Sequence, residues 1–462
     1  MPTRTLTNGG SKMNRPVAFT VLLVGLSGCV DPVTTTGEVA PNLDAELRQD
    51  IAAWGLMAIG DMPTQPLAQV ELGRMLFFDK IMSGNQDVAC ATCHQPAEGL
   101  GDGRSLPVGT RATLVGGDRM PGAGRDFIPR NAPTLLNSGV GGTYMLWDGR
   151  LANFGPGSVF AEGLSLPIIS DDGLATQAFL PVLNRGEMRG EAGDTGVHGA
   201  TNELANVPDT QPEAVWRGVM DRLLAVPQYV TLFQDAYPEV SGIGFRYEHA
   251  ARALSAFQRE TFTFTDSPFD RYLARDNNAL TVEQKRGAQL FLRDAGCVSC
   301  HNGPLLGGQG FANVGMPQIG PGVGDEAPLD LGRGALENNE FYRFAFRIPP
   351  LRNVELTAPY MHAGAYPDLE AVLDHYNDVP TAMREYDVGQ LDPALRGRHH
   401  TDSQMIQEVL ETLDGRFRGP LDLDEGQIAD LTRFLEALTD PAARDLSSVV
   451  PTSVPSGLPV GE

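Results

Sequence analysis

Apolar residues recur at mixed three- and four-residue spacing over 215–233, 247–262, 281–292 and 424–438, the last carrying Ile428, Leu431, Phe434, Leu435 and Leu438. That period predicts four amphipathic helices, each with one buried stripe. A shorter run places Leu369, Val372, Leu373 and Tyr376 at i, i+3, i+4 and i+7. Tyr376 therefore shares the buried face, and His375 points about 100° away from it. No long alternating run predicts an extended strand. Between the helical patterns, 96–130, 151–200 and 303–345 are rich in Gly and Pro. Such connections are longer than structureless loops usually run in a compact domain, unless they line a site or wrap a cofactor. The expected fold class is mainly α. The Ser/Pro/Val/Gly-ending segment 441–462 is expected to be a flexible tail.

The N-terminus carries a different signal. Arg15 precedes an apolar run over 17–26 that closes with Ser27, Gly28 and Cys29, the order of a secretory leader and too short to span a bilayer. Leu26-Ser27-Gly28-Cys29 resembles a bacterial lipoprotein box, so 1–28 is expected to be a cleaved signal peptide and Cys29 the lipidated first residue. The location that follows is the periplasm, with membrane contact only through the lipid, and 29–64 becomes an N-terminal tether. The remaining length supports more than one core. Net charge is −23, and loss of Arg4, Lys12 and Arg15 with the leader makes the balance more acidic. An acidic field excludes nucleic acid and favours cationic partners.

The other four cysteines form two identical motifs, Cys90-Ala91-Thr92-Cys93-His94 and Cys297-Val298-Ser299-Cys300-His301. In C-x-x-C-H the two thiols add to haem vinyl groups as thioethers, and the adjacent His supplies a nitrogen to iron. A zinc site would want further Cys or His at ligand spacing, and a thioredoxin-like dithiol a βαβ context. Two covalent c-type haems are therefore expected. The surroundings repeat in order: Leu72-Gly73-Arg74-Met75-Leu76-Phe77 and Arg286-Gly287-Ala288-Gln289-Leu290-Phe291 precede the motifs, while Pro133-Thr134-Leu135-Leu136-Asn137 and Pro350-Leu351-Arg352-Asn353 follow them. Trp147-Asp148-Gly149 is echoed by His362-Ala363-Gly364. A duplicated fold with one haem per lobe, over 65–264 and 265–440, accounts for these echoes.

With Asn131-Ala132-Pro133-Thr134, Trp147-Asp148-Gly149-Arg150, the stretch from Gln177 to Met188, and Thr357-Ala358-Pro359-Tyr360-Met361-His362 through Tyr376, the chain resembles the bacterial di-haem cytochrome c peroxidase family, including its MauG-type members. The resemblance implies two cytochrome c-like lobes packed around a calcium site. In it the N-terminal haem reacts with hydrogen peroxide and the C-terminal haem receives or stores electrons. His94 and His301 would be the proximal ligands. No histidine lies between His94 and His198, a departure from the displaceable distal His of many members that implies an open first haem, with Met120 the rival ligand. Gln177 and Glu187 match the family's distal pair, Glu187 as acid/base; the alternative is a loop Glu paired with Arg185 or Arg189. Trp147 would relay electrons between the haems, the alternative being simple packing, as for Trp54 and Trp216. Asn131 and the carbonyls of Thr357 and Pro359 match the calcium ligands, although Asn131 also reads as a turn cap. Tyr376 falls at the MauG-type position for the sixth ligand of the second haem, with His375 the substitute. The implied partners are hydrogen peroxide and either a small cytochrome or cupredoxin donor or a protein substrate, with a homodimer usual in the family. Peroxide reduction, MauG-like protein oxidation and non-enzymatic electron carriage all remain open at this point.

Overall fold

The computed structural model describes residues 42–460 apart from 115, 156–157, 163–170 and 241–243. The expected leader, 1–28, and Cys29 lie outside the described residues. Helices form where the period predicts them: Tyr247–Thr261, Val282–Leu292, Leu369–Asn377 and Glu425–Glu436. Their starts are fixed by side chains. Thr281 accepts from Gln284 N, Asp424 from Gln427 N and Asp368 from Ala371 N, each satisfying an orphan amide of the first turn. The single helix expected over 215–233 is instead two, Pro212–Leu224 and Pro227–Ala236. Pro227 has no N–H to continue the first ladder, and its fixed φ begins the second. Among the described residues, strands are two or three residues long. The largest sheet is antiparallel in the order Thr143–Met145, Leu151–Asn153, Val159–Ala161, with Tyr144 opposite Ala152 and Ala152 opposite Phe160.

The sequence echoes correspond to repeated contacts. Helix Leu67–Phe78 crosses Tyr247–Thr261 at Gly73, where a Cβ would lie 2.0 Å from Ala253 O; Val282–Leu292 crosses Glu425–Glu436 at Gly287, where a Cβ would lie 1.9 Å from Asp430 O. Only glycine permits either approach. Asn137 and Asn353 both adopt left-handed φ, at 60° and 62°. Their amides donate to the carbonyls closing the two crossing helices, Asn137 N to Phe262 O and Asn353 N to Leu438 O. Asn353 Nδ2 then donates to Asn137 Oδ1 at 3.1 Å, joining the two repeats.

Two large apolar cores lie within one continuous body. The first centres on Leu72, Phe77, Phe179, Phe257 and Phe262, the second on Phe269, Phe291, Leu431 and Phe434. Their membership corrects two expected boundaries. The 29–64 tether contains helix Leu43–Trp54, whose Leu47 and Ile51 enter the second core. That helix is fastened by Asp44, which accepts from Tyr272 Oη at 2.9 Å and pairs with Lys285 at 2.8 Å. The 441–462 tail is not loose: Ala443, Leu446, Val454 and Leu458 are buried in the first core. Ser456 also donates through Oγ to buried Asp79 at 2.7 Å. Burying a Leu or Val contributes about 1.5–3 kcal/mol, which outweighs a composition that on its own favours coil. The segment between the first haem motif and residue 130 crosses as well, since Leu106, Val108 and Phe127 join the second core.

Candidate haem sites

Both motifs fold as tight turns in which the histidine amide bonds back to the first cysteine carbonyl, His94 N to Cys90 O at 3.0 Å and His301 N to Cys297 O at 2.8 Å. The chain then reverses through a left-handed leucine, Leu100 (φ 60°) or Leu306 (φ 52°). The carbonyls of these leucines receive the imidazoles: His94 Nδ1 lies 3.0 Å from Leu100 O, and His301 Nδ1 lies 3.1 Å from Leu306 O. A proton held on Nδ1 by a carbonyl makes Nε2 the lone-pair nitrogen, the form that ligates iron. Burial pushes His301 down to about 4 and lowers His94 as well, so both rings are neutral. Burial pushes the Cys90 and Cys297 thiols up to about 12. None of the four motif cysteines forms a disulfide. Two thiols and one neutral imidazole, presented twice, are the donor set of haem c.

Beside the second motif two cavities of about 390 Å³ and 180 Å³ share Cys297, His301, Tyr376, Trp147, Arg347 and Met361 in their walls. Their lining is mainly apolar, suited to a flat macrocycle. Tyr376 faces this space, and its hydroxyl has no hydrogen-bond partner among the described residues. Tyr229, Tyr237, Tyr247, Tyr272, Tyr360 and Tyr366, by contrast, each place the hydroxyl on a partner. His375, the substitute ligand, is committed elsewhere: Nδ1 lies 2.7 Å from Tyr366 Oη and Nε2 2.7 Å from Val314 O. Trp147 is held in the wall by Nε1 donating to Asn131 O at 2.8 Å, with its ring 6.5 Å from that of His362. The adjoining strand alternates, Thr143 and Met145 lining the cavity and Tyr144 packing on Phe311 outside it. Gln177 lines the smaller cavity, as do Asn131, Thr357 and Pro359, the three residues matched to calcium ligands. Asn131 Nδ2 donates to Arg104 O at 2.8 Å, which leaves its Oδ1 as the oxygen available for a cation.

At the first motif, Cys90 and Ala91 pack against the core that holds Val88, Phe179, Val182 and Met188. Glu187 sits in a π-turn, Arg185–Arg189, that Asn184 starts by accepting from Gly186 N and Glu187 N. Two glycines pin this turn to the motif's flanks. A Cβ on Gly84 would lie 1.9 Å from Arg189 O, and one on Gly109 would lie 1.9 Å from Gly186 O. Glu187 is not paired with Arg185 or Arg189, both of which pair with Asp209. Its Oε1 instead accepts from Asn184 Nδ2 at 2.8 Å. Glu187 is only partly buried, and the desolvation it does suffer pushes the carboxyl up to about 7 against the opposing pull of Arg150. Met120 lies in a two-residue strand and packs against the second core. His198 is exposed, His249 bonds Arg246 N, and His400 lies 2.9 Å from Gly320 O. Trp216 is buried against Phe179 and Tyr247, and half-exposed Trp54 donates to Leu292 O.

The sequence reading missed the charge network behind Trp147. Asp148 accepts from Arg130 at 2.6 Å and from Arg150 Nε at 2.9 Å, and Arg130 pairs at 2.7 Å with Asp330. These cations hold the Asp148 carboxyl well below the usual range. Asp148 was visible within the Trp-Asp-Gly-Arg element, whereas nothing local to Asp330 marks its partner 200 residues away.

The family description "Di-haem cytochrome c peroxidase" matches residues 67–278. Methylamine utilization protein MauG of Methylorubrum extorquens is 33% identical over 438 residues, covering 93% of this chain and 96% of that protein. Cytochrome c551 peroxidase of Pseudomonas aeruginosa is 32% identical over 308 residues, 66% of this chain and 71% of that protein. Among solved structures, a MauG-like protein associated with microbial copper homeostasis aligns with a TM-score of 0.58 at 25% identity, over 85% of this chain and 97% of that one. Both motifs, their echoed surroundings and this near full-length likeness lead to one assignment: the chain belongs to the di-haem cytochrome c peroxidase and MauG family of oxidoreductases, whose members carry two c-type haems.

Proposed function

We propose that the chain is a periplasmic di-haem peroxidase that reduces hydrogen peroxide to water at the haem held by Cys90, Cys93 and His94, with electrons passed through the haem held by Cys297, Cys300 and His301. The observation that carries this reading is Glu187, a carboxyl with a pKa pushed up to about 7 on a turn clamped to both flanks of the first motif. When bound, the haem iron supplies the redox chemistry of O–O cleavage. Glu187 takes the proton from the inner peroxide oxygen and returns it to the outer one, work that suits an acid titrating near neutral pH. The family resemblance assigns Gln177, in helix Gly173–Ala178, to orient the peroxide, although its side chain also reaches the wall of the cavity beside the second motif. Trp147, fixed by Asn131 O, relays electrons between the two sites, and Tyr376 would supply its phenol oxygen to the second haem. Asn131 with the Thr357 and Pro359 carbonyls binds a calcium ion, oxygen donors being proper for a hard cation. The donor is a small cytochrome or cupredoxin, and the acidic surface favours a cationic one. Cys29 anchors the mature chain by lipid, and the working unit is a homodimer.

A second reading, oxidation of a protein substrate as in MauG, is favoured by Tyr376. A phenolate at iron stabilises ferric and higher states, and the MauG relative covers nearly the whole chain. One experiment separates the readings. The doubly haem-loaded ferric protein is mixed with peroxide and its spectrum followed, then turnover is measured with a reduced cytochrome. Rapid turnover supports the peroxidase; a long-lived oxidised state with slow turnover supports protein oxidation; no reaction with peroxide leaves an electron carrier.

A further inference from the structure

Arg347 lies in the two-residue strand Phe346–Arg347, with its amide donating to Trp147 O at 2.8 Å. Its guanidinium stands 5.9 Å above the Trp147 ring, and Nη1 donates to Tyr144 O at 3.0 Å. Nε is buried without a hydrogen-bond partner. Several buried arginines have a carboxylate: Arg130 has Asp148 and Asp330, Arg333 has Glu337, and Arg352 has Asp270. Arg347 has none within ion-pair distance among the described residues. Burial lowers its pKa to about 10, which still leaves it a cation at neutral pH. A partly buried cation facing an apolar cavity without a counter-charge is unfavourable, and a carbonyl and an aromatic face offset part of that. Both cavities that hold His301 and Tyr376 are walled by this side chain.

We propose that Arg347 is the anchor for a carboxylate delivered into the His301 cavity, namely a propionate of the second haem. This rests on the reading that the His301 motif carries a haem. It gives the unpaired guanidinium an anion in planar, two-point geometry. It also holds that anion against Trp147, so one side chain fixes the orientation of the macrocycle and the charge beside the proposed relay. A dissolved carboxylate is the other source of the same chemistry.

The test is a spectroelectrochemical titration of the doubly haem-loaded protein, resolving the two haems, in the parent, Arg347→Lys and Arg347→Gln. A nearby cation favours the ferrous state, so its loss, with the propionate left uncompensated, lowers the potential. Arg347→Gln is expected to lower the midpoint of the His301 haem and leave the His94 haem unmoved, with Arg347→Lys close to the parent. An unshifted Gln variant, equal shifts at both haems, or the same result in Lys and Gln overturns it. A parent potential that moves with added acetate overturns the propionate assignment, because it shows a site open to dissolved anions. Peroxide reactivity of the parent is read separately, so failure of the peroxidase reading is distinguishable from failure of this one.

Discussion

Replacing Glu187 with Gln removes one ionisable group and keeps its shape, so two signatures follow from the same raised pKa. With a pKa of about 7, roughly one molecule in eleven carries the carboxylate at pH 6 and roughly ten in eleven at pH 8. If the carboxylate takes the first proton from peroxide, the second-order rate rises about tenfold over that interval. Glu187→Gln should be slower by about 10²–10⁴ and flat with pH. The second signature is thermodynamic. The folded pKa lies above the ordinary value of 4.5, so the folded state binds more protons than the unfolded state between those values, and stability falls as pH rises through them. Above pH 7 the penalty is complete, roughly 1–3 kcal/mol once partial solvent access at the turn is allowed for. The Gln variant should therefore be the more stable protein at pH 8 and show no advantage below about pH 4.5. Stopped-flow mixing with peroxide from pH 6 to 8 and denaturant melts at the same pH values measure both. A variant that keeps the parent's pH profile, or gains no stability at pH 8, refutes the assignment of the titrating group to Glu187.

Mass spectrometry of protein matured where haem attachment occurs should show two haems, and Cys297→Ala with Cys300→Ala should lose one while Cys90 and Cys93 keep theirs. Tyr376→Met should raise the potential of the second haem, because a neutral thioether favours ferrous iron more than a phenolate does. His375→Asn, which disturbs only bonds to Tyr366 and Val314, should leave that haem's spectrum unchanged; the opposite pattern would transfer ligation to His375. Leu446→Ala should destabilise the protein by about 2–5 kcal/mol in a denaturant melt, as for a core leucine, whereas a loose tail would give no change.

What the sequence disclosed and what it concealed divide along the reach of the interaction. Cys90, Cys93 and His94 are contiguous, as are Cys297, Cys300 and His301, and Gly73 and Gly287 sit in matching words ahead of them, so motif and helix crossing could be read locally. The 3.6-residue period correctly groups Tyr376 with Leu369, Val372 and Leu373 in one cavity wall, but His375, expected to point away from the buried face, is itself buried on Tyr366 and Val314, contacts that the period does not reveal. Helix Leu43–Trp54 carries Leu43, Leu47 and Ile51 at four-residue spacing, yet its position after a leader suggested a tether. The tail misled for the opposite reason: its composition is that of coil, and only burial against Asp79 and the first core orders it. Arg347 and Asp330 had no local mark, since each acquires its meaning from loops far apart in sequence.

The described residues close crosswise, helix Leu43–Trp54 completing the second core and Ala443, Leu446, Val454 and Leu458 completing the first. For a polypeptide made from N- to C-terminus, this sets an order of events. The core around Cys90 and Cys93 lacks Leu446, Val454 and Leu458 until those distant residues have been made. Helix Leu43–Trp54 waits through more than 200 residues for Tyr272 and Lys285 to receive it. Severing the chain between 264 and 265 would thus yield two pieces that are each missing part of their own interior, and complementation of separately expressed halves should require both termini to be exchanged.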